Sequence, residues 1–311
     1  MNPLAAHELR GSWATLLLAW TDDALDVTRV EHEIDALIGY GVDGIYMNGT
    51  AGEFHEQTDA EFRTVARTLA ERCEAAGMPF QIGVSHMSAR ISLERLRYAV
   101  QLAPSAVQVI LPDWFPVTDD EAIRFLSRMG EEAGGVGLVL YAPPHAKRRL
   151  GVDDLARLSD AVPALVGVKV AGGDDAWYRD MRRRLSRLSV FVPGHLLASG
   201  VRRGAHGAYS NVACLHPGAA QRWWTQIETD IDAALELERR LRAFMSRRIE
   251  PFIRDERYAN YACDRLLALV GGWADVGAHV RWPYRSIPER EVHRLRADVE
   301  RMIPEFGSGA P

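Results

Sequence analysis

GIYMNGTAGEFHEQTDAEFRTVARTLAERCEAA, residues 44–76, holds one complete strand–turn–helix unit. Gly44–Asn48 is a short apolar run, and Gly49–Gly52 is a glycine-bounded turn. Thr58 with Glu61 three residues on forms a helix-start signature, and apolar residues at helical spacing then continue over Asp59–Ala76. Outward from this unit the same alternation repeats. The other predicted strands are Ala14–Trp20, Phe80–Val84, Val107–Pro112, Val136–Tyr141, Leu165–Val170, Val190–Pro193 and Gly207–Ser210. The predicted helices between them include Val27–Gly39, Ser92–Leu102, Asp119–Glu132, Asp153–Ala161 and Asp175–Leu185, with Thr118 and Glu121 repeating the start signature.

Eight such units within about 215 residues require parallel strands joined by crossover helices, and near-continuous apolar strands require both sheet faces to be covered. A closed (β/α)8 barrel, the TIM-barrel architecture, fits best. The competing open, doubly wound sheet lacks a Gly-x-Gly-x-x-Gly after an early strand. Beyond residue 215 the strand-like runs stop and long helical patterns take over. The expected division is therefore a barrel over residues 1–215, its last helix running to about 229, and a C-terminal helical extension over 230–311.

The 311 residues carry a formal net charge of −5, which leaves no electrostatic footprint for nucleic acid. Cys73, Cys214 and Cys263 are far apart and odd in number, so they predict neither a disulfide framework nor a thiolate zinc site, and they fit a reducing, cytoplasmic setting. The apolar run Trp13–Trp20 is too short to span a bilayer. Its flanks lack a cleavage pattern, so it reads as a buried first strand rather than a secretory leader. No membrane partner is expected.

The residue that points to chemistry is a lysine in the wrong place. Positive charge in this chain is almost all arginine; the two lysines are Lys147 and Lys169, and Lys169 sits within LVGVKV, residues 165–170. Apolar surroundings disfavour an ammonium and lower its pKa, and a neutral amine attacks a ketone to form an imine. The protonated imine then stabilises a carbanion on the neighbouring carbon. Such a site needs a proton-transfer group, and Tyr141 ends the preceding strand. It also needs an anion cradle for a 2-oxo acid, and the turn Gly49-Thr50-Ala51-Gly52 offers backbone N–H groups with a hydroxyl. Other polar or turn residues at strand ends, where barrel enzymes work, are His86, Asp113, Trp114, His145, Gly172, His195, Ser210 and Asn211. Glu53 reads as a structural partner near the turn, and Trp223 and Trp224 as helix-packing aromatics.

These pieces together resemble one family. GVDGIYMNGTAGEF is similar to the Gly-Thr-Thr-Gly-Glu segment of the dihydrodipicolinate synthase / N-acetylneuraminate lyase family, YAPP to its Tyr-Asn-x-Pro, and GVKVAGGD to its Gly-(Ile/Val)-Lys. Order and spacing agree over roughly residues 10–305. The resemblance implies a (β/α)8 barrel, usually a homotetramer, that uses no metal or organic cofactor. It makes Lys169 the imine-forming residue, Tyr141 the acid/base and Thr50 a proton-relay and carboxylate-binding hydroxyl. It implies a Schiff-base lyase acting on a 2-oxo acid, by aldol cleavage or condensation with pyruvate or by dehydration of a 2-keto-3-deoxy sugar acid.

Three departures point away from the synthase's own acceptor. Ala51 replaces the second threonine, and Trp114 stands where the synthases carry a tyrosine that reaches a neighbouring subunit. Ala146 occupies the position of their entrance arginine, with Lys147, Arg148 and Arg149 just beyond. Two other readings remain open on the residues alone. One is a metal-dependent carbonyl lyase built on His86, Asp113, His145 and His195. The other is a catalytically silent oxo-acid-binding barrel.

Overall fold

In the computed structural model, which describes residues 1–21 and 24–307, eight parallel strands close into a barrel. They are β1 Gly11–Thr15, β2 Gly44–Met47, β3 Phe80–Gly83, β4 Ala106–Val109, β5 Leu138–Tyr141, β6 Leu165–Lys169, β7 Ser189–Pro193 and β8 Gly207–Tyr209. Each pairs with its sequence neighbours, and β1 closes the ring by pairing Gly11 with Gly207 and Trp13 with Gly44. Helices α1 Val27–Gly39, α2 Asp59–Ala76, α3 Ala89–Ala99, α4 Asp119–Glu132, α5 Val152–Ala161, α6 Asp175–Arg184 and α7 Leu197–Arg202 follow the strands in order. After β8 come a short α8, Asn211–Leu215, and then α9, Pro217–Thr229. The predicted starts at Thr58 and Thr118 are complete capping boxes, each threonine and glutamate satisfying the other's backbone N–H.

The first strand is displaced from its predicted position. Ala14–Trp20 was the expected run, whereas β1 begins at Gly11 and ends at Thr15. Leu16 to Ala19 are fully buried, but their backbone partners come mostly from outside the ladder. The Leu17 N–H donates to the Glu33 carboxylate at 2.7 Å, and the Leu18 carbonyl accepts from Arg265 at 2.6 Å. Trp20–Thr21 instead pairs antiparallel with Ala24–Leu25. Apolarity marks burial; it does not say which group completes the hydrogen bonds.

Inward-facing side chains fill the lower barrel. Leu9, Trp13, Tyr46, Ala106, Val139, Phe191 and Tyr209 form one buried cluster, and the Tyr209 hydroxyl donates to Gln81 Oε1 at 2.7 Å. Outward-facing residues join the helices in a second, larger core. With its floor packed, the barrel opens at the C-terminal ends of its strands.

The chain continues as α10 Ile231–Phe244, a π-helical turn Met245–Ile249, α11 Glu250–Arg254, α12 Asn260–Gly271 and α13 Arg290–Met302. Of these, α12 matters for chemistry, because it packs on α8 and lies over the barrel mouth. Its Arg265 is fully buried and pairs with buried Glu53 from the turn after β2. The same guanidinium donates to the carbonyls of Leu18 and Val276, while Glu53 also accepts from the Trp20 indole at 3.2 Å and the Arg281 N–H at 3.2 Å. Glu53 is thus the structural partner expected of it, and it clamps the extension to the barrel. Trp223 and Trp224 are buried in helix packing, as expected. No helix among the described residues is long and apolar enough to cross a membrane.

Candidate active site

Lys169 is the last residue of β6, paired in register with Tyr141 on β5 and Phe191 on β7. Its amine enters a cavity of about 260 Å³ at the barrel mouth, sunk beneath the loops and α12. The amine lies 4.3 Å from the Tyr141 ring centre, 5.0 Å from Tyr46 and 5.3 Å from Tyr209. Those ring faces favour a cation, but burial disfavours it more, and the pKa falls to about 8 with Asp264 and Cys214 pulling weakly the other way. At pH 7 roughly one amine in ten is then neutral, against about one in three thousand for an ordinary lysine.

At the mouth of this cavity the Tyr141 hydroxyl and Thr50 Oγ1 share a hydrogen bond of 3.1 Å. Burial raises the Tyr141 pKa, so the phenol is protonated near neutrality and ready to donate. The turn carrying Thr50 is held from below. Asn48, in the left-handed region at φ 60°, donates to the Gly83 carbonyl at 3.2 Å and accepts from Gln57 at 2.6 Å. Gly52 and Glu53 donate back to the carbonyls of Gly49 and Thr50, at 3.1 Å each. Among the described residues no group accepts from the Thr50 or Ala51 N–H, so two donors stand free beside the lysine.

Gly49 explains itself by what a side chain there would strike. A Cβ atom would stand 2.8 Å from the Tyr46 ring and 3.5 Å from the Lys169 amine. Gly49→Ala is therefore expected to push Tyr46 against the amine and slow adduct formation with an oxo acid about tenfold or more, a 1.4 kcal/mol effect, while thermal unfolding changes little. Stopped-flow trapping of the adduct measures it.

The predicted site residues divide by location. Lys169, Tyr141, Thr50, Ala51, His195 and Asn211 line the inner cavity. His195 is held by Asn211, whose Oδ1 accepts from its backbone N–H at 3.2 Å, and burial lowers its pKa so that the ring is neutral. Asp113 and His145 line an adjoining outer cavity of about 410 Å³, which shares Thr50, Tyr141 and Asn260 with the inner one. The outer walls are more aromatic and apolar than the polar strand-end residues foretold, with Phe54, Met87, Ile110, Tyr261 and Tyr284.

Four predicted residues lie elsewhere. The His86 ring accepts from the Ser88 N–H at 2.9 Å, tying down the start of α3. Ser210 caps α8 by accepting from the Ala213 N–H at 3.1 Å. Gly172, at φ +80°, lines a separate groove beside Trp177. Trp114 is 76% exposed, and its ring lies over the Lys147 ammonium at 4.8 Å. Arg148 reaches the outer cavity but is engaged by Asp119 and the Val117 carbonyl. His86, Asp113, His145 and His195 do not converge, and no cluster of three or more His, Cys, Asp or Glu side chains among the described residues is disposed to hold a metal.

Sequence reasoning missed the wall supplied by α12. Asn260 and Asp264, one turn apart, line the inner cavity together with Tyr46, Tyr209, Thr15 and Cys214. The signal was present: Asp264-Arg265 is a charged pair inside the otherwise apolar run YACDRLLALV, the same kind of anomaly that singled out Lys169.

Residues 9–302 match the model of the dihydrodipicolinate synthetase family. The chain belongs to that family. A 4-hydroxy-tetrahydrodipicolinate synthase from Thermomicrobium roseum is 27% identical over 236 residues, 75% of this chain and 76% of that protein. An N-acetylneuraminate lyase from Enterobacter sp. (strain 638) is 28% identical over 207 residues, 65% of this chain and 68% of its own length. Among solved structures, the E. coli K12 prophage protein YagE in complex with pyruvate superposes with a TM-score of 0.83 at 21% identity, covering 94% of this chain and 98% of that one. Members of the family are lyases of the class I aldolase type, and this chain is one of them.

Proposed function

We propose that the protein is a Schiff-base-forming lyase of a 2-oxo acid, with Lys169 as the imine residue and Tyr141 as the acid/base. The observation that carries this reading is a lysine amine enclosed by three tyrosine rings, its pKa brought to about 8, beside two free backbone N–H groups and a protonated phenol. The oxo acid's carboxylate rests on the Thr50 and Ala51 N–H groups, which puts C2 over the amine. Nitrogen attacks C2, the carbonyl oxygen takes the proton that the attacking nitrogen sheds, and that hydroxyl leaves as water with a second proton from Tyr141. The iminium then draws in electrons. In cleavage, the C4 hydroxyl gives its proton to the Tyr141 phenolate, the C3–C4 bond breaks, and its electron pair forms the enamine. In dehydration, the Tyr141 phenolate takes the C3 proton and returns it to the C4 hydroxyl, which departs as water. The aldehyde or the sugar-acid tail occupies the outer cavity, whose aromatic walls accept the C–H faces of such a chain. In this reading the protein works as a homo-oligomer without an organic cofactor.

The test is pyruvate with borohydride. Lys169 is expected to gain the mass of pyruvate less one oxygen, read by peptide mass spectrometry, and an unmodified Lys169 overturns the proposal. Tyr141→Phe is expected to form the adduct more slowly and to lower turnover by about 10²–10⁴-fold, the usual worth of a positioned acid/base. A screen of 2-keto-3-deoxy sugar acids for pyruvate release, or for dehydrated product, separates the two outcomes of the shared enamine.

A further inference from the structure

Asp264 places a carboxyl where the chemistry above has no use for one. It is 7% exposed, projects from α12 into the Lys169 cavity, and receives no hydrogen bond from any of the described residues. The titratable groups around it are Lys169 from β6, Tyr141 from β5, Tyr46 from β2 and Cys214 from α8, with Cys263 beside it on its own helix. Of these, only Lys169 is a cation near neutral pH, since burial holds both thiols and both phenols in their neutral forms. The other wall residues that titrate, Tyr209 and His195, are neutral as well.

Between about pH 7 and 8 the cavity walls carry one ammonium and one carboxylate. Imine formation keeps the positive charge at the same nitrogen, so an adduct of a neutral ketone stays balanced. A 2-oxo acid brings a second carboxylate, and an unpaired anion in so enclosed a space is costly. The position of Asp264 sharpens the conflict. One turn further along α12, Ala268 belongs to the same small apolar cluster as Ala51, half of the free N–H pair that would cradle the incoming carboxylate.

We infer that Asp264 takes up a proton when a 2-oxo acid occupies the cavity and, as a neutral acid, donates a hydrogen bond to the bound carboxylate. It thereby fills the role of the side-chain hydroxyl that Ala51 lacks. The step balances: one solvent proton is bound, the Asp264 O–H forms, and no other bond breaks beyond those of imine formation. The carboxyl is poised for this, because burial lifts its pKa to about 7, with Lys169 pulling it down. Asp264 is on this account a residue that selects the donor acid, and its action depends on the imine reading given above.

Pyruvate affinity, measured by borohydride trapping between pH 7 and 9, tests the inference in wild type and in Asp264→Asn, whose amide donates without a proton. Above pH 7 the slope of log Kd against pH is expected to be steeper in wild type by close to one, a tenfold weakening per pH unit that the variant lacks. Calorimetry at pH 7.5 in buffers of different ionisation enthalpy should show about one more proton taken up by wild type. Should the variant not fold, wild type alone decides, by comparing pyruvate with its methyl ester, which has no carboxylate. The excess slope is expected for the acid and not for the ester. Equal slopes in either comparison overturn the role of Asp264 alone. No trapped adduct in any protein overturns this role together with the imine reading.

Discussion

Lys169→Ala is expected to abolish turnover, with a loss on the order of 10⁴–10⁶-fold, the range seen when a covalent nucleophile is deleted. The same variant should give no borohydride-stable adduct with pyruvate while folding normally. The side chain ends in cavity space rather than in packed core, so its removal leaves the surrounding tyrosine rings in contact with one another. The Tyr46–Tyr209 edge contact at 4.7 Å and the Phe191–Tyr209 stack at 4.5 Å do not depend on the lysine. Retained thermal stability with lost chemistry is therefore the expected pattern. Substantial residual turnover of the best substrate would place the reaction outside imine chemistry. Wild-type turnover should also rise with pH toward about 8, because the amine attacks only when neutral and its pKa lies there.

The second large effect concerns stability. Arg265→Leu is expected to destabilise the fold by about 3–5 kcal/mol, since it strands Glu53 as an uncompensated buried charge. The Leu18 and Val276 carbonyls also lose their donor. Chemical denaturation followed by tryptophan fluorescence reads this directly, because the Trp20 indole is bonded to the same glutamate. The double variant Arg265→Leu with Glu53→Leu should recover much of the loss, as replacing both members of a buried pair costs far less than removing one. If the single variant unfolds at wild-type denaturant concentrations, the pair is not the clamp described above.

Much of this was legible in the residues because the barrel repeats one rule eight times. The strands bury both faces, and the helices α1, α2, α4 and α6 start on side-chain caps, so errors at single boundaries do not accumulate. The first strand starts and ends earlier than predicted because Leu16 to Ala19 are as apolar as a strand but take partners from Glu33 and Arg265. Lys169, Tyr141 and Thr50 were readable as a set, since strand ends fix their positions relative to one another. His86, Ser210 and Gly172 sit at strand ends too, yet their short-range turn and cap roles turn them away from the cavity. Trp114 sits at a strand end as well, but its ring pairs with Lys147 at the surface. Asp264 could not be located at all from strand-end logic. It enters from a helix more than ninety residues after Lys169, and only tertiary packing brings it there.

That separation along the chain has a consequence for how such an enzyme is retuned. On the proposed mechanism the electron sink is carried by a strand of the barrel, while the group inferred to face the incoming acid comes from the twelve contiguous residues of α12. A library confined to Asn260, Asp264 and their helical neighbours can alter which carbonyl compounds are accepted without disturbing the nucleophile. The boundary of such a graft is set by Arg265, whose ion pair anchors the segment and must be carried over intact.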